Sequence, residues 1–408
     1  MIAPADRTFV APVPRLAVPT AVALVLPAFV LSGLAVLTTQ PAAAAGCRAP
    51  TTLLSRAPVS TYALPGGATA RVWDTGDRRD DRAELRIAAV RVPARSLTPD
   101  VLTAPTVARA VSPGAMAAGD ARAVVVINGG HFDPAVPGIP EKAEVVRGAV
   151  RTGNRALTGH IAVWADTRTA ALVKAKVSGS LTSAHGTVAI GAVNWRTLAS
   201  AGVSVHTRAW GTRAHPFGPR TYVVAGGRVV KVLVGAAGAA RPGSGQTFLT
   251  APAGTYGDAL ARLRVGDKVN LRTAEVGQLF FDTTHAPLRR PWGMVGAGGT
   301  LLLAGANRAS CATRDEALRP RSVLAWTAGG DMIVIAIAGR GAGRTGGASV
   351  HQAAEYARRL GAVTAVNLDG GTSTTLLVRR TVGGPLLRLD QKPGTAQRPV
   401  VDALAFRT

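Results

Sequence analysis

The chain has 408 residues, 47% of them apolar, enough for a substantial core in one large domain or two modest ones. Aromatic residues make up only 4%, so Ala, Val and Leu must do most of the packing. The formal charge is +24. That excess is mostly Arg scattered along an Ala/Gly/Arg-rich chain, with no basic–aromatic stripe and no zinc-finger or RNP-like motif, which argues against nucleic acid as a partner.

Residues 1–45 read as a secretory signal peptide. Arg7 and Arg15 precede an apolar run from Ala17 to Leu37, followed by Gln40-Pro41-Ala42-Ala43-Ala44-Ala45 as a small-residue cleavage site. The run is long enough that an uncleaved N-terminal anchor is the alternative. Either reading puts the body outside the cytoplasm, secreted or at the cell surface. No second spanning segment is evident. Cys47 and Cys311 fit an oxidising compartment as one disulfide tying the mature N-terminus to the body. The competing reading is lipidation of Cys47, although Ala44-Ala45-Gly46-Cys47 lacks the usual leading Leu of a lipobox.

Further along, residues 46–108 read as an N-terminal extension with the first strands. Arg71–Trp73 and Leu85–Val92 flank a charged turn, Asp77 to Arg82. Ala123–Ile127 is a continuous apolar run of strand length, suited to burial on both faces. Thr221–Val224 and Val229–Val234 form a predicted hairpin around Gly226-Gly227, and Val265–Val269 a turn entering a strand. Met332–Ala338 is a buried strand. A helix starts after Ser349, with Gln352 completing a capping box, and Gly361 stops it. Val350, Ala353, Ala354, Ala357 and Leu360 share its apolar face. Val363–Leu368 is the following strand. These patterns predict an α+β fold of mixed, strand-rich sheets with a few packed helices, residues 109–408 forming one large domain of catalytic type.

Two strands end in similar loops, Asn128-Gly129-Gly130 and Asn367-Leu368-Asp369-Gly370-Gly371, the second running into Thr372-Ser373-Thr374-Thr375. Each supplies a polar side chain and then two positions without a Cβ, where a ligand can approach the backbone. A plain Asp-Gly hairpin turn is the competing reading. Arg319-Pro320-Arg321-Ser322 and the Arg340 loop lie between the two, and Gln397-Arg398-Pro399-Val400 follows both.

Together these elements resemble the phosphodiester glycosidase family, over about Arg109 to Phe406. The matching segments are Asn128–Asp133, Pro320-Arg321-Ser322, Asn367–Thr375 and Gln397–Val400. The chain departs from the family pattern at four places. His131 stands where an aromatic is usual, Thr372 replaces a Gly, Ala338 replaces an Asp and Gln397 replaces a Glu.

The resemblance implies cleavage between a sugar's anomeric carbon and a phosphate oxygen, without a cofactor. Such a reaction needs cationic, preferably bidentate, stabilisation of the departing phosphate, and a carboxylate to activate water or stabilise an oxocarbenium-like centre. On this reading Asp369 is the carboxylate, and Arg321 and Arg398 hold the phosphate. Arg340 is a further phosphate or structural residue. The N–H groups of Gly129, Gly130, Gly370 and Gly371 offer donors to substrate oxygens. Asn128 and Asn367 orient substrate or carboxylate, or only their own turns. Ser373 bonds a sugar or phosphate oxygen, and Asp133 is a weaker contact or a turn residue. A wall polymer or phosphoglycan is the expected substrate class. The alternatives are a non-catalytic binder of anionic glycan, to which the Ala338 and Gln397 departures point, and a metal-dependent phosphoesterase using His131 and Asp133 as ligands.

Overall fold

The computed structural model describes residues 47–75, 85–133, 138–214, 216–235, 240–279, 289–312, 317–339, 346–391 and 394–408. The signal or anchor segment, the Asp77–Arg82 turn and the Arg340 loop lie outside these residues. The described chain is strand-rich with few helices.

The Met332–Ala338 strand shows why. Its side chains alternate between two cores, with Ile333, Ile335 and Ile337 facing one and Met332, Val334 and Ala336 the other. Each fully buried aliphatic of this kind contributes about 1.5–3 kcal/mol. The strand lies in an eight-stranded antiparallel sheet ordered Ser60–Ala63, Thr69–Asp74, Arg86–Val92, Met332–Ala338, Arg321–Thr327, Ala362–Asn367, Thr300–Leu303, Ala306–Asn307. The helix Val350–Arg359 belongs to the isoleucine-side core through Ala353, Ala354, Tyr356 and Ala357. Ser349 and Gln352 form the predicted capping box, with bonds of 3.1 and 3.0 Å, and Gly361 ends the helix at φ +94°.

The two strands flanking that helix run parallel but are not neighbours. Arg321–Thr327 lies between them, antiparallel to both. The crossover therefore skips one strand and delivers Leu368 and Asp369 beyond Ser322, whose carbonyl accepts the Leu368 N–H at 2.8 Å.

A second, five-stranded sheet is ordered Leu387–Arg388, Leu376–Val378, Ala123–Asn128, Asp402–Arg407, Thr98–Thr103. Ala123–Asn128 is buried throughout, as its apolar run predicts. Its neighbours are antiparallel, however, and its two faces are covered by the central core and by a smaller cluster around Ala117 of the short helix Pro113–Ala117. The central core lies between this sheet and the eight-stranded one, so the ends of Ala123–Asn128 and Ala362–Asn367 meet across it.

An eleven-stranded sheet carries the middle of the chain. It includes the predicted hairpin Arg220–Ala225 and Arg228–Val234, turned by Gly226 and Gly227 at φ +54° and +72°. Cys47 and Cys311 are joined by a disulfide with Cα atoms 5.2 Å apart. Beside it, Gln352 Nε2 donates to the Ala49 carbonyl at 2.8 Å, and the Thr51 N–H donates to Tyr356 Oη at 3.0 Å. The start of the body is thereby stapled to the long helix.

Candidate active site

Asn128 joins the two glycine loops. Its Nδ2 donates to the Asp369 carbonyl at 2.7 Å, and its Oδ1 accepts from Ser322 Oγ at 2.7 Å and from the Thr375 N–H at 3.1 Å. The Asp369 N–H returns a bond to the Gly129 carbonyl at 2.9 Å. Asn128 is completely buried, so its amide braces the carboxylate-bearing loop and does not face solvent.

The Asp369 carboxylate lies at the mouth of this junction, its side chain 16% exposed. It accepts hydrogen bonds from Ser373 and from the Gly370 N–H, and His131 Nε2 is 3.8 Å from Oδ1. Arg398 Nη1 donates to Ser373 Oγ at 3.0 Å, so a relay runs Arg398–Ser373–Asp369. The Arg398 guanidinium also stacks on the Phe132 ring, 4.9 Å from its centroid, which fixes the plane of its fork. Burial pushes the Asp369 carboxyl above the usual carboxylate range, opposed by Ser373, His131, Arg398 and the Gly370 N–H.

Beneath the Asn128 loop lies a pair of acids that the sequence pattern does not single out. Asp402 and Glu144 are both buried and hydrogen-bonded to each other through their side chains. Asp402 Oδ1 accepts the Gly130 N–H at 2.7 Å, and its carbonyl accepts the Gly129 N–H at 3.1 Å. Asp402 Oδ2 and Glu144 Oε1 have no donor group among the described residues, and a proton shared within the pair satisfies both. Arg151 Nε stands 3.7 Å from Glu144 Oε2. Burial and then the Glu144 charge push Asp402 well up, and burial pushes Glu144 up against the pull of Arg151. The raised pKa values belong to the pair as a unit.

The third wall is Gly296–Gly299. A Cβ on Gly130 would come within 2.9 Å of the Gly296 carbonyl, and one on Gly298 within 2.8 Å of the Asn367 carbonyl. Only glycines let these backbones approach so closely. Lys142 Nζ donates to the Ala297 carbonyl, and burial lowers its pKa. Behind it His160 is fully buried, with Nδ1 2.8 Å from the Thr158 carbonyl oxygen, and burial pushes its pKa down to about 4. It is neutral at pH 7.

Other sequence-predicted residues sit differently. The Gly129 and Gly130 N–H groups are taken by Asp402, Gly371's by the Pro320 carbonyl at 2.8 Å, and Gly370's by Asp369 itself. Close packing, as much as ligand access, requires glycine here, because a Cβ on Gly370 would meet the Pro320 carbonyl at 2.7 Å. Arg321 donates to the Ala348 and Ala317 carbonyls at 3.0 and 3.1 Å. Asn367 Oδ1 is buried without a hydrogen-bond partner among the described residues. Asp133 pairs with Arg196 at 2.7 Å, apart from the His131–Asp369 contact. Gln397 Oε1 accepts the Gly114 N–H at 2.8 Å in the first turn of the short helix, so this departure serves a helix end.

One further pair holds the Arg398 segment. Arg388 Nη2 bonds Asp390 at 2.8 Å, and its Nη1 donates to the Thr395 and Ala396 carbonyls at 3.0 and 2.9 Å. Asp390 Oδ1 in turn accepts the Leu376 N–H at 2.8 Å. The arginine that reaches Ser373 is thereby anchored to the strand that follows Ser373.

The chain belongs to the phosphodiester glycosidase family, whose model matches residues 198–407, just over half of the sequence. That match contains Asp369, Ser373, Arg398 and Asp402, while Asn128, His131 and Glu144 precede it. Among solved structures, a hypothetical protein from Synechocystis superposes with a TM-score of 0.63 at 25% identity, over 84% of this chain and 62% of that one. The chain thus spans less than two thirds of that relative's length. A Burkholderia pseudomallei K96243 protein whose name calls it exported gives 0.60 at 20% identity, over 80% and 74%. The catalytic domain of zebrafish N-acetylglucosamine-1-phosphodiester alpha-N-acetylglucosaminidase, auto-inhibited by its pro-peptide, gives 0.43 at 12%, over 86% and 88%. No curated protein matches the chain.

Proposed function

We propose that this chain hydrolyses the bond between a sugar and phosphate in a glycosyl phosphodiester, outside the cytoplasm, as an α+β catalytic domain behind a signal peptide. The observation that carries the reading is the Arg398–Ser373–Asp369 relay, set beside His131 in a chain of this family. Asp369 is the carboxylate that activates water or stabilises the oxocarbenium-like centre. Arg398 presents its planar fork to the departing phosphate, with Lys142 adding positive charge nearby. Phosphate is a good leaving group, so the site has less need of a strong general acid than an ordinary glycosidase. Asn128 and Ser322 hold the Asp369 loop in register. Arg321 ties the start of its strand to the Ala348 and Ala317 carbonyls, beside the Pro320 carbonyl that accepts the Gly371 N–H.

Support for export comes from the sequence of residues 1–45 and from the Cys47–Cys311 bond, which suits an oxidising compartment. Among the described residues no helix is long and apolar enough to cross a membrane. Phosphate-bearing wall polymers or phosphoglycans are the substrate class that suits a basic, exported protein.

The experiment is release of reducing sugar from sugar-1-phosphodiesters by the purified chain. Turnover lost on Asp369→Asn supports the reading. Failure to release sugar across a broad panel overturns it and favours a glycan binder on the same scaffold.

A further inference from the structure

We propose that a surface cleft between Arg147 and Trp292, apart from the candidate active site, binds a phosphate-bearing saccharide and anchors polymeric substrate. The cleft encloses about 540 Å³, within the roughly 300–1,000 Å³ usual for small-ligand sites. It is lined by Arg147, Trp164, Asp166, Arg289, Arg290 and Trp292 among others.

Three features point to that ligand class. The first is an aromatic platform. Trp292 is 40% exposed, a large apolar ring held at the surface of a chain poor in aromatics, while Trp164 is buried at the cleft wall. Indole faces stack on the apolar faces of sugar rings, and they leave the sugar hydroxyls in water.

The second is a cation placed at conformational cost. Glu144–Val146 and Ala149–Asn154 are antiparallel neighbours joined through Arg147 and Gly148, at φ +51° and +71°. Such two-residue turns favour Asn, Asp or Gly at the first position. An arginine there is strained backbone in exchange for an exposed guanidinium. Arg147 makes no ion pair or hydrogen bond among the described residues. By contrast, Arg289 is neutralised by Asp166 through two bonds of 2.8 Å, and Arg290 donates to the Gly148 carbonyl.

The third is a preformed wall. The Gly148 N–H donates to the Trp292 carbonyl at 2.7 Å, the Trp292 N–H to the Val163 carbonyl at 2.9 Å, and Trp164 Nε1 to the Arg289 carbonyl at 3.0 Å. Three separate segments are thus locked together before any ligand arrives, which reduces the ordering cost of binding.

The cleft is at the opposite end of the Gly293–Gly296 strand from the active site. Trp292 and Ala297 are five steps of extended chain apart, roughly 17 Å. A polymer held here is kept close to the enzyme without occupying Asp369. This inference extends the proposed glycosidase reading but does not require hydrolysis.

The test uses the full chain carrying Asp369→Asn, so that turnover cannot consume the probe, and calorimetric titration with a hexosyl-phosphate oligomer. Its neutral counterpart of equal length and inorganic phosphate are titrated in parallel. The expected result is selective binding of the phosphorylated oligomer, weakened about fivefold or more by Trp292→Ala and by Arg147→Asn and largely kept by Trp292→Phe. Arg147→Asn suits the turn and should raise the melting temperature while it lowers affinity, a pair of opposite signs that a purely structural arginine would not give. Equal affinity for the neutral oligomer, or affinity unchanged by both Trp292→Ala and Arg147→Asn, overturns the proposal. Cleavage of a small soluble diester by the Trp292→Ala chain with Asp369 intact should stay unchanged, so failure of the cleft and failure of the glycosidase reading are read separately.

Discussion

Glu144 and Asp402 lie against each other, fully buried, directly beneath the Gly129-Gly130 turn, and burial raises both carboxyls above the usual range. The pair is one link from the candidate catalytic carboxylate, since the Gly129 carbonyl accepts the Asp369 N–H. Two ionised carboxylates in such a place would repel each other and carry a large desolvation cost, so the shared proton is a condition of the packing.

The sign of the resulting pH dependence follows. Both carboxyls have folded pKa values raised above their unfolded ones. Above an ordinary carboxylate pKa of about 4 the folded chain therefore retains a proton that the unfolded chain has lost. Stability from this pair is present below that pH and is lost as pH rises through the raised values. Melting temperature should fall with rising pH across this window, and Asp402→Asn, whose amide can still donate to Glu144, should flatten the slope. Melting curves from pH 4 to 8 for both chains check it. An unchanged slope would mean the pair is not the titrating unit.

Asp369→Asn should leave the fold intact, because the side chains match in shape and the bonds that hold the loop to Asn128 and Gly129 run through the Asp369 backbone. Its turnover should drop by roughly 100- to 10,000-fold, the usual worth of a positioned acid or base. The readout is sugar release at saturating substrate, with circular dichroism as the folding control.

Ser373→Ala should move the acid limb of activity to higher pH. Asp369 must be ionised to act, and the Ser373 hydroxyl is the largest of the influences holding its raised pKa down. Losing that bond raises the pKa further, so more of the enzyme is protonated at a given acidic pH. Arg398→Met should shift the limb the same way and also weaken phosphate binding. A log kcat/KM profile against pH measures both effects, and an unmoved limb would remove Asp369 as the titrating group.

Asn128→Ala should destabilise the chain by roughly 2–5 kcal/mol, because Ser322 Oγ, the Thr375 N–H and the Asp369 carbonyl lose a buried partner together. Urea denaturation gives the number. A loss under about 0.5 kcal/mol would show that water or a neighbour takes over the bonds.

Replacing both Cys47 and Cys311 with Ser should cost about 2–4 kcal/mol through freeing the unfolded chain. Their separation of 264 residues makes the closed loop long. The same denaturation experiment under oxidising conditions tests this.

Much of the frame was legible in advance because it rests on local rules. The Ser349–Gln352 capping box, the Gly361 stop, the Gly226-Gly227 hairpin and the two continuous apolar strands each follow from backbone geometry and side-chain periodicity within a few residues. The sheet neighbours were less accessible. The apolar run of Ala123–Asn128 announces burial on both faces but not its neighbours, which are the antiparallel strands of a sheet packed between two cores.

The candidate site divides along the same line. The sequence by itself singled out the candidate loops: Asn128-Gly129-Gly130 and Asp369-Gly370-Gly371 each set a polar side chain before two glycines at a strand end, and the Arg398 element joined them through the family resemblance. Only the tertiary structure decided what each donor does. Gly129 and Gly130 give their N–H groups to Asp402, Gly371 gives its own to Pro320, and Arg321 turns to backbone carbonyls, whereas Arg398 reaches Ser373. Glu144 and Asp402 meet across 258 positions of chain, and Lys142 finds Ala297 in the same way. Hydrogen bonds act over about 3 Å in space, irrespective of distance along the chain, so a motif can announce a site while its partners remain hidden until the sheets close on one another.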